Sequence, residues 1–316
     1  MPVDLETFAS EIISNVEKVI VGKREKIELM LAAMLSQGHI LLEDVPGTGK
    51  TMLAHSMAIS MGIEFKRLQC TPDLLPTDIT GVPVFLPHEG RFQFQPGPVF
   101  THILLADEIN RATPRTQSAL LEAMQERQVT VGNTTHPLSR PFMVMATQNP
   151  IEYEGTFPLP EAQLDRFIMR ISMGYPDFED ERTIIRDQRN VHPIESLKPV
   201  ADGRSLIDLG RQVADIHVDT SLEDYALKLV KATREHSDLL LGASSRGALA
   251  LYKTSQAWAA LKGRDYVVPD DMKKLAPFVL THRLLLQPES QLRGNTPKSV
   301  VDEIVSQTEI ELAEVA

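Results

Sequence analysis

Apolar positions at the start of the chain recur three and four apart: Leu5, Phe8, Ile12, Val16, Val19 and Ile20. That spacing marks one face of a helix, and a second helical stretch runs from about Glu25 to Ser36. The pattern then changes to a short unbroken run, His39-Ile40-Leu41-Leu42, which predicts a buried strand. Similar runs follow at Ile63 to Leu68, His102 to Ala106, Phe142 to Ala146 and Phe167 to Met173, with helical patterns such as Met52 to Met61 and Thr116 to Glu126 between them. Strands alternating with helices predict an α/β fold with a parallel sheet covered on both faces.

Two segments break the alternation. Val82 to Gln95 and Gln128 to Leu138 each have two β-like arms around a turn, at His88-Glu89-Gly90 and at Gly132-Asn133, and are expected to be hairpins inserted into the sheet domain. After Tyr175-Pro176-Asp177 the strand signals fade. Leu206 to Ala214, Leu222 to Arg234, Ala248 to Leu261 and Asp270 to Leu280 all read as helices. The expected organisation is a nucleotide-binding αβα domain over residues 1–185 and a separate helical lid over 186–316, with a short linker around Asp180 to Lys198 marked by Pro193 and Pro199.

The length of 316 residues and the 42% hydrophobic content suit two cores. The single cysteine, Cys70, excludes an internal disulfide and fits a reducing compartment, with packing its expected role. The first twenty residues carry Asp4, Glu6, Glu11 and Glu17 among their apolar positions, unlike a signal peptide, and no apolar run has the eighteen or so residues that a membrane span needs. A cytoplasmic protein without a membrane span is expected. The net charge of -11 gives no general attraction to phosphate backbones, so no nucleic-acid partner is expected.

The clearest chemical signal is Val45-Pro46-Gly47-Thr48-Gly49-Lys50-Thr51, between the strand ending at Leu42 and the helix beginning near Met52. This is the context of a phosphate-binding loop. Gly47 and Gly49 let backbone N–H groups curl around phosphates, Lys50 reaches the β and γ oxygens, and the Thr51 hydroxyl is a Mg²⁺ ligand at a helix N-terminus. Pro46, Thr48 and Met52 complete the stretch expected to touch ATP. The strict pattern has glycine where this chain has Asp44. A second apolar strand ends in adjacent carboxylates, Ile103-Leu104-Leu105-Ala106-Asp107-Glu108. Successive strand residues point to opposite sides, so Asp107 is assigned to the metal shell, through water, and Glu108 to the attacking water. The nine histidines show no metal-ligand spacing, which leaves Mg²⁺ with ATP as the expected metal.

With these motifs the chain resembles a MoxR-type AAA+ ATPase over most of its length. The resemblance rests on Leu41 to Thr51, Thr71-Pro72-Asp73-Leu74-Leu75-Pro76, Asp107-Glu108-Ile109-Asn110-Arg111-Ala112 and Phe157-Pro158-Leu159-Pro160-Glu161-Ala162-Gln163-Leu164-Asp165-Arg166-Phe167. Asp44 is common at its position in that group. The resemblance implies that Asn149 is the sensor 1 residue holding water or γ-phosphate, although a turn asparagine before Pro150 would look the same. It implies that Arg166 is an arginine finger reaching a neighbour's γ-phosphate, where the bare sequence would suggest a surface pair with Asp165. Arg246 matches the sensor 2 arginine that contacts nucleotide from the lid. Val21 and Gly22, in Ile20-Val21-Gly22-Lys23, match the segment lining the adenine pocket; a helix ending at glycine has the same appearance.

The two hairpins match the helix 2 insert and the pre-sensor 1 insertion of this AAA+ branch, which makes Arg91, Phe92 and Phe94 candidates for partner contact; simple packing is the other reading of alternating aromatics. The function implied is ATP hydrolysis by a homo-oligomeric, hexameric ring that remodels, matures or inserts a cofactor into a partner protein, a von Willebrand factor A domain protein among the candidates. Alternatives are a magnesium chelatase-like motor subunit, a nucleotide-dependent scaffold with slow turnover, and a nucleic-acid motor.

Overall fold

A computed structural model describes residues 5–150, 155–187, 189 and 192–310 of the chain. Residues 1–4 and 311–316 at the ends of the two expected parts, and 188, 190 and 191 of the expected linker, lie outside them. The chain begins with α1 (Leu5–Glu17), α2 (Arg24–Leu35), β1 (Ile40–Glu43), α3 (Lys50–Ser60), β2 (Phe65–Gln69) and α4 (Pro76–Thr80). It continues with β3 (Gly81–Leu86), β4 (Arg91–Pro96), β5 (Ile103–Asp107), α5 (Pro114–Glu126), β6 (Gln128–Val131), β7 (Thr134–Pro137), β8 (Met143–Gln148), α6 (Glu161–Leu164) and β9 (Met169–Ile171). The remainder is α7 (Phe178–Asp187), α8 (Gly203–Ala214), α9 (Thr220–Glu235), β10 (Leu239–Leu241), α10 (Ser245–Leu261), α11 (Pro269–Leu280), β11 (Leu285–Leu286), α12 (Pro288–Leu292) and α13 (Pro297–Gln307).

Five strands form one parallel sheet in the order β2-β5-β8-β1-β9. Side-chain alternation divides its residues between two cores. Ile40, Leu42, Ile103, Leu105, Met143, Met145, Met169 and Ile171 face α1, α2 and α3, whereas Leu41, Leu104, Ala106, Val144 and Ala146 face α5. The first core is continuous with the helical C-terminal part. Helix α2 is buried nearly all round, from Ile27 through Leu35, because α1 and the sheet cover one side and α8 and α10 the other. The helical part also contains the short antiparallel ribbon β10–β11, which the sequence pattern does not announce.

Both inserted hairpins are present, as β3–β4 and β6–β7, and they touch: the Phe94 and His136 rings stack with centroids 4.0 Å apart. Phe94 is thus a packing residue. Phe92 is 70% exposed and lies against the half-exposed Phe85, while Arg91 pairs with Glu89.

The expected linker needs correction at its start, because residues 178–187 form helix α7. Asp177 Oδ1 accepts the Asp180 N–H, while Glu179, Asp180 and Glu181 in the first turn and Arg186 in the last match the helix dipole. The prolines used to place a linker come only after that helix.

Candidate ATP-hydrolysis site

Every strand of a parallel sheet ends at the same edge, so the segments following β1, β5 and β8 meet there. The β1–α3 loop is the expected phosphate cradle. Gly47 and Gly49 have φ of 84° and 83°, the left-handed region that suits glycine, and a Cβ added at either would meet nothing within 4 Å. The backbone there is therefore open to a ligand, which is the fit a nucleotide's phosphates require. Gly49 caps α3, whose first residues are Lys50, Thr51 and Met52. The Lys50 ammonium donates to the carbonyl oxygens of Asp44 at 2.9 Å and Val45 at 3.3 Å, and the Thr48 hydroxyl donates to Val45 O at 3.3 Å.

Asp44 has a structural task. Its Oδ2 accepts the backbone N–H groups of Met173 and of Gly174, the latter at 2.9 Å, and the Ser172 hydroxyl at 3.3 Å. A carboxylate at this position ties the end of β1 to the segment leaving β9, which a glycine could not do. That segment leads on to the expected adenine-pocket residues. Lys23 donates to Tyr175 O at 2.8 Å, and Gly22, with φ of 70°, packs so closely on Asp180 that an added Cβ would overlap its carboxylate. Val21 and Gly22 thus belong to the loop-bearing edge of the sheet.

Asp107 ends β5, and Glu108 follows it with φ of 55°, a left-handed conformation uncommon outside glycine. This amends the expectation that strand alternation alone would separate the two carboxylates. The left-handed turn keeps both within reach of one row on β2. Arg67 pairs with Asp107 Oδ2 at 2.6 Å, and Gln69 donates to Glu108 Oε2 at 2.9 Å, with Arg111 a second donor to that oxygen at 3.1 Å. Arg67 also donates to Gln69 Oε1 at 2.7 Å, so the row is internally linked.

Thr147, on β8 beside Asp107, completes the network. Its hydroxyl donates to Asp107 Oδ1 at 2.6 Å and accepts the Glu108 N–H at 2.8 Å. Sequence reasoning missed Arg67, Gln69 and Thr147, because an isolated polar residue in a strand carries no motif. Asn149 is buried two residues past Thr147, at the same edge as Asp44 and Glu108. Cys70 follows Gln69; burial, and then the Asp107 and Glu108 charges, push its thiol up to about 12, which leaves it an inert packing group.

Arg166 and Arg246 do not join this cluster. Arg166 precedes β9 at the edge where strands begin, level with Gln37 to His39, as the Ile168 N–H to His39 O bond of 2.8 Å and the Ile40–Met169 pairing require. Arg166 and Arg246 line one cavity of about 250 Å³ at that edge, with Gln37, Arg127, Asp165 and Arg283. From His39 to Asp44 the chain rises roughly 17 Å at strand geometry, beyond the reach of an arginine to its own phosphate loop. Asp165 pairs with Arg283 at 2.8 Å and lies 3.9 Å from Arg246, so the surface pair of Asp165 with its sequence neighbour is not formed.

A phosphate loop opening a helix after β1, and paired carboxylates at the end of β5, with β8 between the two strands of a parallel sheet, define a P-loop ATP hydrolase. The ATPase family associated with various cellular activities (AAA) matches residues 39–169, and the AAA lid domain matches residues 231–304. The chain is 43% identical to Chaperone MoxR1 of Mycobacterium tuberculosis, covering 93% of this chain and 80% of that one. It is 31% identical to Protein MoxR of Methylorubrum extorquens over 93% and 92% of the two chains, and 50% identical to YeaC of Bacillus subtilis over 97% and 96%. A crystal structure of a candidate ATPase from Cytophaga hutchinsonii superposes with a TM-score of 0.91 at 40% identity, covering 98% of this chain and 96% of that one. The chain belongs to the MoxR family of AAA+ ATPases.

Proposed function

We propose that the protein works as a ring of identical subunits, six by the family resemblance, in which each ATP site is completed by the neighbour's Arg166 and Arg246. The observation that carries this reading is the placement of both arginines in one cavity at the sheet edge opposite their own phosphate loop. Guanidiniums there serve hydrolysis only if a second subunit presents its nucleotide to them.

Within one subunit, Gly47 to Lys50 and Met52 would hold the phosphates, and Val21 and Gly22 the adenine. Thr51 and Asp107 would hold Mg²⁺, Asp107 through water, once Arg67 yields its carboxylate. Bound MgATP supplies the transferable phosphoryl group. Glu108 takes the proton of the attacking water while Asn149 orients that water, and Thr147 keeps the Asp107 carboxylate aimed. The family member MoxR1 is named a chaperone, and chaperone-like remodelling of a protein partner is the matching proposal here. The exposed Phe85–Phe92 pair on the β3–β4 hairpin supports a protein contact, with a von Willebrand factor A domain protein as the candidate. Among the described residues no helix is long and apolar enough to cross a membrane, and we place the protein in the cytoplasm with no nucleic-acid partner. The division into a nucleotide-binding part over 1–185 and a helical part over 186–316 is proposed with α7, which spans the 185/186 boundary, as the crossing between them.

The test is complementation between two inactive variants. Arg166→Ala keeps an intact site but offers no finger, and Glu108→Gln offers a finger but cannot activate water. Mixed rings should regain hydrolysis that neither variant has alone; mixtures as inactive as their components would refute the shared site.

A further inference from the structure

We infer that Asp165 is the positioning residue that locks Arg166 and Arg246 into one two-pronged cationic face; this rests on the shared-site reading above. The two arginines come from different parts of the chain, one from the turn before β9 and the other from the first turn of α10. A neighbour's phosphate could engage both only if their separation were fixed. Asp165 is placed to fix it, because its two carboxylate oxygens face different elements.

Oδ1 accepts from Arg283 Nε at 2.8 Å. The Arg283 side chain is 2% exposed, and its other donors reach the backbone oxygens of Phe167 at 2.7 Å, Asp165 at 3.4 Å, Ile168 at 3.5 Å and Val279. A guanidinium that deep requires a counter-charge, so one half of the Asp165 carboxylate is committed to joining the root of β9 to the turn that follows α11. Oδ2 points instead to the rim of the cavity. It accepts the Ser244 hydroxyl at 2.9 Å and lies 3.9 Å from Arg246 Nη1. The same Ser244 oxygen accepts the Arg246 backbone N–H at 3.1 Å as the cap of α10. The buried pair is a fixed post, and Ser244 transmits its position to the turn that carries Arg246. Arg166 follows Asp165 in the chain, so the same post fixes where its backbone starts, while its Nε is buried without a hydrogen-bond partner at the cavity.

A staple that merely stabilised the fold would affect melting and leave turnover per assembled ring unchanged. The experiment therefore uses two variants of the full chain, Asp165→Asn and the gentler Ser244→Ala, which leaves the buried Asp165–Arg283 pair untouched. Both are measured for ring mass, affinity for a fluorescent ATP analogue, and kcat at saturating ATP. The expected result is unchanged assembly and affinity with kcat lowered roughly tenfold, recovery of kcat in Ser244→Thr, and little further loss when Ser244→Ala is added to Arg246→Ala, since coupled residues are not additive. Wild-type kcat in Ser244→Ala, or a loss that adds in full to that of Arg246→Ala, would overturn the positioning role. Should Asp165→Asn fail to fold, the Ser244 series alone decides. If the Arg166→Ala and Glu108→Gln mixture also fails to complement, the shared-site reading falls with it; if that mixture complements, only the role of Asp165 is lost.

Discussion

The Thr147 hydroxyl donates to Asp107 Oδ1 at 2.6 Å and accepts the N–H of Glu108 at 2.8 Å, so one side chain on β8 holds the carboxylate that ends β5 and the backbone of the residue after it. Thr147 is fully buried, and Thr147→Val keeps its shape while leaving the Glu108 N–H and one Asp107 oxygen without a partner. The expected cost is about 2 kcal/mol in stability. Turnover is expected to fall roughly 10- to 100-fold, comparable to the loss of a positioned acid or base. Urea melts and steady-state ATPase assays check both; wild-type turnover would remove Thr147 from the site.

Asp44 makes the opposite kind of prediction. Replacing it by glycine restores the strict phosphate-loop pattern yet removes the acceptor for Met173, Gly174 and Ser172. Asp44→Gly should lose about 3 kcal/mol of stability, the scale of hydrogen bonds to a charged group, with no gain in nucleotide affinity. Chemical denaturation together with nucleotide titration tests this, and tighter binding at unchanged stability would contradict it.

His39 introduces a pH dependence. Its Nδ1 accepts the Val144 N–H at 2.9 Å and its Nε2 donates to Met124 O at 3.1 Å, an arrangement that only the neutral ring satisfies. Burial lowers its pKa from 6.5 to about 4, an effect only partly offset by the Met124 bond. The folded form thus binds this proton less readily than the unfolded chain. Stability from His39 is fully present above pH 6.5 and is lost as pH falls towards 4, by on the order of 3 kcal/mol. Melting temperatures of the wild type and His39→Gln between pH 7 and 4 should converge as the pH falls; parallel curves would count against the assignment.

The sheet was legible because β1, β5 and β8 each begin with an unbroken apolar run, and the candidate chemistry at its strand-end edge was legible because Gly47, Gly49 and Lys50 match the fixed spacing of a phosphate-binding loop. The strand positions carried less information where a role depends on pairing. Arg67 and Gln69 look like ordinary surface residues until β2 is set beside β5 in register. Helix α7 was obscured because its residues are exposed, so no apolar stripe marks it. Arg166 and Arg246 are 80 residues apart in sequence, and their meeting depends on α10 packing against α2, which neither local pattern nor motif encodes.

The most direct test of the central claim is ATP hydrolysis per subunit as a function of protein concentration, for the wild type and for Arg166→Ala, with particle mass measured in parallel. The shared-site account predicts that specific activity rises with assembly, and that Arg166→Ala assembles normally yet hydrolyses at least roughly 10³-fold more slowly, the scale of a lost arginine finger. Activity that is independent of concentration and unaffected by the substitution would contradict it, and would leave each subunit a self-sufficient ATPase.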